Sequence, residues 1–256
     1  MNDIAVFADI LLPAFVAGLL VICTHIPLGF KVLSRGIIFM DLAIAQVAGL
    51  GALFVTVVIG EQAPPLLTQL GATLLALAAA LLLLRCERLT QRYQEPLIGI
   101  LFVLAATAGI LVLAGDPHAG EHMTELLSGQ ILWVSREQLI TSGALTGILL
   151  VALWVTRQSH AMFYALFAVA ITLSVQLVGV YLVFATLIIP ALSTVPISHE
   201  KRRLKVAYAL AIVGYGVGLS ASALLDLPTG PLIVWTLAIC GAITAAVVKT
   251  QHKYSV

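Results

Sequence analysis

Charge is what this sequence has least of. Asp, Glu, Lys and Arg make up only 10% of 256 residues, against about 25% in an ordinary soluble domain. A soluble fold of this length needs a polar, water-facing skin, and 13 Lys/Arg with 12 Asp/Glu cannot supply one. The near balance of signs also excludes a strongly basic nucleic-acid binder. Cysteine is scarce: Cys23, Cys86 and Cys240 form no CxxC or CxxxC pair, so neither a disulfide framework nor a thiolate metal site is indicated. No GxxxxGKS/T phosphate loop occurs, so the chain cannot bind ATP by that route and is not expected to be an enzyme. The opening Met1-Asn2-Asp3 has no basic run before its apolar stretch, so the first segment is expected to be a retained span, not a cleaved signal. Low-complexity stretches and clear internal repeats are missing too.

What remains is 61% apolar, which points to an all-α polytopic membrane protein with one transmembrane domain over 1–256. Crossing ~30 Å of hydrocarbon takes roughly 20 apolar residues. Spans are expected at 8–30, 37–59, 64–85, 97–115, 138–156, 205–225 and 230–248. The 36-residue stretch 161–196 is too long for one crossing and divides near Gln176 and Gly179 into 161–177 and 179–196, about nine crossings in all.

The positive-inside rule tests that count independently. With nine crossings, one side receives Lys31, Arg35, Arg85, Arg88, Arg92, Arg157, Lys201, Arg202, Arg203, Lys205, Lys249 and Lys253, leaving only Arg136 opposite. With eight, the 201–205 cluster would share a side with acidic loops such as the one carrying Glu61; with nine, Glu61 and Asp226 both lie outside. Nine crossings place the N-terminus outside and the C-terminus in the cytoplasm. The second half of the 115–137 loop is mildly amphipathic and carries Trp133, so a helix lying along the outer surface is expected there. Gly214, Gly218 and Ser222, four residues apart, form a small-residue ladder suited to close helix packing.

Ionisable groups at membrane depth are costly and mark pathways or partners. Asp41 lies six residues beyond Arg35, ~9 Å along a helix. His25 lies six residues before Lys31, at similar depth on the first span. The two could meet as an ion pair, a proton relay or two ligands of a transient metal site. The alternatives are that Asp41 pairs with a basic side chain or caps nearby backbone, and that His25 bonds a carbonyl freed by Pro27. Gln46 lies deeper, turned roughly 140° from Asp41.

In the outer loop, His118, Glu121 and His122, flanked by Asp116 and Glu125, offer imidazole and carboxylate suited to borderline ions such as Zn²⁺. His118–His122 matches a zinc-peptidase HxxEH pattern, but Pro117 and Gly120 argue against a helix through His118. A solvated loop and a metal-handover or docking role are the competing readings. The basic stretch Ile197–Val206 (Ile197, Ser198, His199, Glu200, Lys201, Arg202, Arg203 and onward) is either a topology anchor or a short cytosolic helix that docks a partner.

Four ordered motifs then resemble the permease subunits of zinc/manganese/iron ABC importers over about 12–248. They are Pro27-Leu28-Gly29 with Arg35 and Asp41, Leu126–Ser135 (LLSGQILWVS), Val178–Ala191 (VGVYLVFATLIIPA) and Asp226–Val234 (DLPTGPLIV). The resemblance implies a homodimeric permease in the bacterial inner membrane, surrounded by lipid. Each copy would dock a separate ABC ATPase and receive its ion from a periplasmic or extracellular metal-binding protein. No cofactor would be bound permanently; the divalent metal is cargo, zinc foremost, with manganese or iron as alternatives. Ile197–Lys205 would be the coupling helix, and Asp41, His25 and Gln46 would line the path. Two departures stand out. Met40 and Ala45 replace the Gly and His of the family's GDxxxH pattern, and the Arg157–His160 connection is short. A stand-alone secondary transporter or channel is the alternative, although it would typically carry internal repeats and more paired midplane polar groups. An intramembrane metallo-enzyme would need more convergent ligands than His25 and Asp41.

Overall fold

The computed structural model describes residues 2–60, 63–89, 93–114, 118–156 and 159–254. Glu61, Arg92 and Arg157 of the charge argument, and Asp116 and Pro117 beside His118, lie outside the described residues. The helices are α1 (Asn2–Arg35), α2 (Met40–Ile59), α3 (Pro65–Leu89), α4 (Gln94–Val112), α5 (Ala119–Ser128), α6 (Arg136–Val155), α7 (His160–Val178), α8 (Val180–Ser193), α9 (Glu200–Leu225) and α10 (Thr229–Tyr254). A 3-10 turn covers Ile131–Trp133, and no strand occurs among the described residues. Hydrocarbon offers the backbone no hydrogen bonds, so long apolar runs satisfy their amides internally as helices. Among the described residues, eight helices are long and apolar enough to cross a membrane by length and composition.

The ninth, α8, has 14 residues, ~21 Å of helix. Gly179, at φ 80°, makes the break with α7 expected from the sequence. That left-handed geometry suits glycine. A Cβ there would also strike the backbone of Ser128 and Gly129, itself at φ 70°.

The chain forms two compact units with interleaved segments. One comprises the residues up to Gly36, Ser128–Leu145 and the chain from Leu177; the other comprises Ile37–Leu127 and Thr146–Gln176. In the first unit, the pairings set each helix's direction. Gly214 and Gly218 of α9 abut Leu237 and Ile233 of α10, and Thr236 Oγ1 donates to the Gly214 carbonyl at 2.7 Å, so these helices run antiparallel. Ser222, the last rung of that ladder, lies 2.6 Å from Thr229 Oγ1. Tyr215 packs on Gly18, and the Arg203 guanidinium lies 4.2 Å above the Phe30 ring, so α1 is antiparallel to α9. The N-terminal end of α8 lies beside Gly129, while Ile189 and Ser193 meet Gly241 of α10. Short as it is, α8 carries the chain from the end holding Ser128–Gly129 and Gly230 to the end holding Phe30 and Pro196–Arg203. The 201–205 cluster thus lies at the opposite end of this unit from Ser128–Gly129, the separation that α8 produces.

Two expectations need correction. The outer helix occupies 119–128, ahead of the stretch whose amphipathicity suggested it. Gly129 ends it in the left-handed conformation helices favour at their C-termini. The second half of the loop instead prepares α6: Ser135 Oγ accepts from Gln138 N at 3.1 Å, and Gln138 Oε1 accepts from Ser135 N at 2.9 Å. That is a reciprocal capping box. Nor is there a separate coupling helix. His199 is the extended N-cap of α9, and Glu200–Lys205 are its first turns. A short polar segment running without a breaker into an apolar helix continues that helix, because nucleation is the costly step and extension is cheap.

Candidate functional site

In the first unit, α1 continues through Pro27. Proline has no N–H, so the carbonyl four residues earlier, that of Cys23, loses its helical donor. Tyr208 Oη on α9 supplies the replacement, donating at 3.2 Å. The freed carbonyl is therefore not the partner of His25. The imidazole Nδ1 instead lies 3.0 Å from the Val21 carbonyl and 2.9 Å from Thr24 Oγ1. A carbonyl only accepts, so the neutral ring carries its proton on Nδ1 and keeps a lone pair on Nε2. His25 is fully buried, and Nε2 has no hydrogen-bond partner.

In the second unit, Asp41 sits in the first turn of α2 with zero exposure. Neither bland alternative is realised: both carboxylate oxygens are buried without a hydrogen-bond partner, so Asp41 neither caps backbone nor pairs with a base. An ionised carboxylate left so costs several kcal/mol. An incoming cation could offset that penalty. Ala45, where the related pattern has His, is buried and offers no ligand; Gln46 is buried at 6% exposure. His25 and Asp41 belong to different units. Among the described residues, no three His, Cys, Asp or Glu side chains gather as a metal-holding group.

The outer group rides on α5. His118 stands just ahead of the helix, its carbonyl accepting from the backbone N–H groups of Glu121 (2.9 Å) and His122 (3.1 Å). His118 and Glu121 are exposed and His122 is half-buried. The peptidase reading lacks its third ligand among the described residues. Further along α5, four residues beyond His122, Leu126 packs on Gly49 of α2, where an added Cβ would lie 2.5 Å from Leu126 Cδ1. Gly49 is eight residues beyond Asp41, ~12 Å along the helix.

At the basic end of the first unit, Ser198, His199, Glu200, Lys201 and Arg202 are exposed, Ile197 is half-buried, and Arg203 is held over Phe30. A groove of about 540 Å³ opens there between Pro196–His199, Arg202 and the Ile243–Val248 stretch of α10.

Sequence reasoning missed the N-terminal turn of α4. Buried Gln94 donates from Nε2 to the Tyr164 hydroxyl at 2.8 Å. The next residue, Glu95, is half-buried, with its Oε2 buried and without a hydrogen-bond partner. An acid followed at once by an apolar run was the available signal, but starting that span at 97 left it outside.

Comparisons with known proteins agree with this architecture. The family model described as the ABC 3 transport family matches residues 8–161 and 156–248. The "Probable iron transport system membrane protein" of Haemophilus influenzae is 29% identical over 163 residues, spanning 55% of this chain and 60% of that protein. An uncharacterized membrane protein of Synechocystis sp. is 25% identical over 198 residues, covering 69% and 70% of the two chains. In fold, a chain of PsaBC from Streptococcus pneumoniae, solved in complex with Fab, matches with a TM-score of 0.74 at 19% identity, over 94% of this chain and 95% of that one. Since the family model accounts for nearly the whole set of helices, including the short α8 and the turn ahead of Asp41, this chain belongs to the ABC 3 transport family.

Proposed function

We propose that the chain is the membrane permease subunit of an ATP-driven importer of divalent transition-metal ions, working as a homodimer in the bacterial inner membrane. Zinc is the first candidate cargo, with manganese and iron as alternatives; the name of the Haemophilus relative keeps iron in view. A separate ABC ATPase would supply the free energy, because the chain has no phosphate loop. An extracytoplasmic binding protein would deliver the ion to the His118, Glu121 and His122 face. Family membership and the buried, unpartnered Asp41 carboxylate carry this reading.

Asp41 is assigned as the transient cation contact, with Gln46 further along α2; His25 Nε2, in the other unit, is assigned as a separate contact on the path. A site of so few ligands suits transport, since a closed four-ligand cage would hold Zn²⁺ too tightly for release. The exposed Ile197–Arg202 segment is assigned to ATPase docking, with Arg203 anchoring it to α1. Its placement at the Lys31/Arg35 end of α1 supports a cytoplasmic position for it, with the N-terminus outside and the C-terminus inside.

The test is uptake of radiolabelled zinc, manganese or iron into proteoliposomes holding this chain, its ATPase and its binding protein. ATP-dependent accumulation of one ion is expected. Asp41→Asn should reduce it by about tenfold or more at equal protein level, the effect of losing a charge-assisted contact; His25→Ala should reduce it less. Uptake that proceeds without the ATPase would favour a secondary carrier, and unchanged uptake in Asp41→Asn would remove the site.

A further inference from the structure

In the second unit, the long apolar helix α3 is left partly uncovered by its neighbours. Leu75, Ala78, Leu82 and Arg85 follow one another at intervals of three and four residues, so they share one face of the helix. All four are exposed, and buried Ala79 lies among them. Val47 of α2 and half-buried Leu101 of α4 complete the lining of a groove of about 400 Å³, in which Arg85 is the charged residue. Alanine at 78 and 79, between Leu75 and Leu82, makes the depression, since longer side chains there would fill it. Ala79 packs with Val47 at the groove floor, and Leu101 packs against both. Gly51 abuts Gly71 while Val47 meets Ala79, so α2 and α3 run antiparallel and Arg85 falls at the end where α2 begins. Arg85 also stands two residues before the end of the apolar span Pro65–Glu87, at the level where hydrocarbon gives way to headgroups.

We propose that this groove binds one anionic phospholipid, with its phosphate on the Arg85 guanidinium and one acyl chain along the Leu75–Leu82 stripe. The length fits: Leu75 to Arg85 is ~15 Å of helix, half of the ~30 Å hydrocarbon core and so the depth of one leaflet. The width fits as well. The groove's volume spread over that length gives a cross-section of roughly 27 Å², about a third of that of a helix about 10 Å across, so it takes an extended chain and not a helix. An arginine at the membrane boundary lays its stem along apolar surface and presents its charged fork at headgroup level, where it matches phosphate oxygens. A headgroup with a net negative charge is favoured, because choline would cancel the phosphate charge within the lipid itself. A chain seated there covers Val47, six residues beyond Asp41, and completes the packing of α2, α3 and α4. The inference needs the chain to span a membrane and makes no use of the cargo assignment.

The test uses the full-length chain, purified in detergent and stripped of lipid, as wild type, Arg85→Gln, Arg85→Lys and Ala78→Phe. Native mass spectra are recorded with phosphatidylglycerol or phosphatidylcholine, and the melting temperature is measured beside each. The wild type should hold one phosphatidylglycerol about tenfold more tightly than phosphatidylcholine, the scale of a hydrogen bond to a charged group. A hundredfold excess over its Kd should raise the melting temperature by roughly 5–10 °C for a chain of this size. Arg85→Gln should abolish the preference, and Arg85→Lys, which keeps the charge without the fork, should retain part of it. Ala78→Phe fills the groove from an exposed position, so it should lose the tight adduct of either lipid without lowering the lipid-free melting temperature. A preference that survives Arg85→Gln would overturn the headgroup contact, and a tight adduct that survives Ala78→Phe would overturn the groove. Inorganic phosphate that stabilises the chain as much as phosphatidylglycerol does would overturn the acyl-chain contact. A dimer lost in Ala78→Phe, with lipid binding intact, would overturn the proposal in favour of a second copy of the chain on this face.

Discussion

Replacing Gly29 by alanine probes the closest approach between α1 and α8. A Cβ on Gly29 would overlap the Leu187 carbonyl oxygen, lie 3.0 Å from the Leu187 carbonyl carbon and stand 3.3 Å from Ala191 Cβ. Carbon atoms in comfortable contact sit about 3.5–4.0 Å apart. The obstruction is backbone, so no rotamer change relieves it, and the helices must move apart by roughly 1 Å on that spacing. α8 cannot easily yield, because Gly179 is lodged against Gly129 at one end and Ile189 and Ser193 against Gly241 at the other. Overpacking of this kind costs about 1–3 kcal/mol. Gly147→Ala is the control: it lies within α6 with nothing within 4 Å of an added Cβ. Both variants gain the same helix propensity, which cancels in the comparison. At about 2–4 °C per kcal/mol for a chain of this size, Gly29→Ala should melt some 2–12 °C below Gly147→Ala. Fluorescence-detected size exclusion after heating, in one detergent, measures the gap. Equal melting temperatures would refute the backbone-contact argument.

Tyr208→Phe should cost about 1–3 kcal/mol, because it strands the Cys23 carbonyl that Pro27 leaves without a helical donor. Pro27→Ala in the same chain should recover part of that loss by restoring a backbone N–H, a coupling that a double-mutant thermal cycle reads directly. Ser135→Ala removes the reciprocal cap with Gln138 and should destabilise the start of α6 by about 0.5–2 kcal/mol, visible as faster hydrogen exchange there. Charge reversal at Lys201 should weaken co-purification of the ATPase in a salt-dependent way while leaving the melting temperature of the isolated permease unchanged, since its side chain is exposed.

Much of the fold was legible before any coordinates. Apolar runs near the length of the hydrocarbon core located the long helices, and Gly179 marked the break between α7 and α8. Both features depend on residues close together in the chain. Reasoning failed where a competing local signal won. The 129–137 stretch has amphipathic character, but Gly129 and the Ser135–Gln138 cap end one helix and begin the next. The basic segment before α9 looked like an independent helix but extends an apolar one. Pro27 correctly signalled a freed carbonyl; its partner, Tyr208, stands 185 positions away, beyond the reach of local reasoning.

The same division runs through the candidate site. Composition and spacing placed an ionisable pair, His25 and Asp41, at membrane depth and settled that the chain is a polytopic helical protein. That much follows from hydrophobicity and helical rise, which are properties of the chain alone. Whether those groups remain available for a cation was decided by tertiary structure, because a polar group's satisfaction depends on what the neighbouring helix brings to it. Val21 and Thr24 occupy one nitrogen of His25 and leave the other, Tyr208 takes the carbonyl that could have claimed the imidazole, and no neighbouring donor reaches the Asp41 carboxylate.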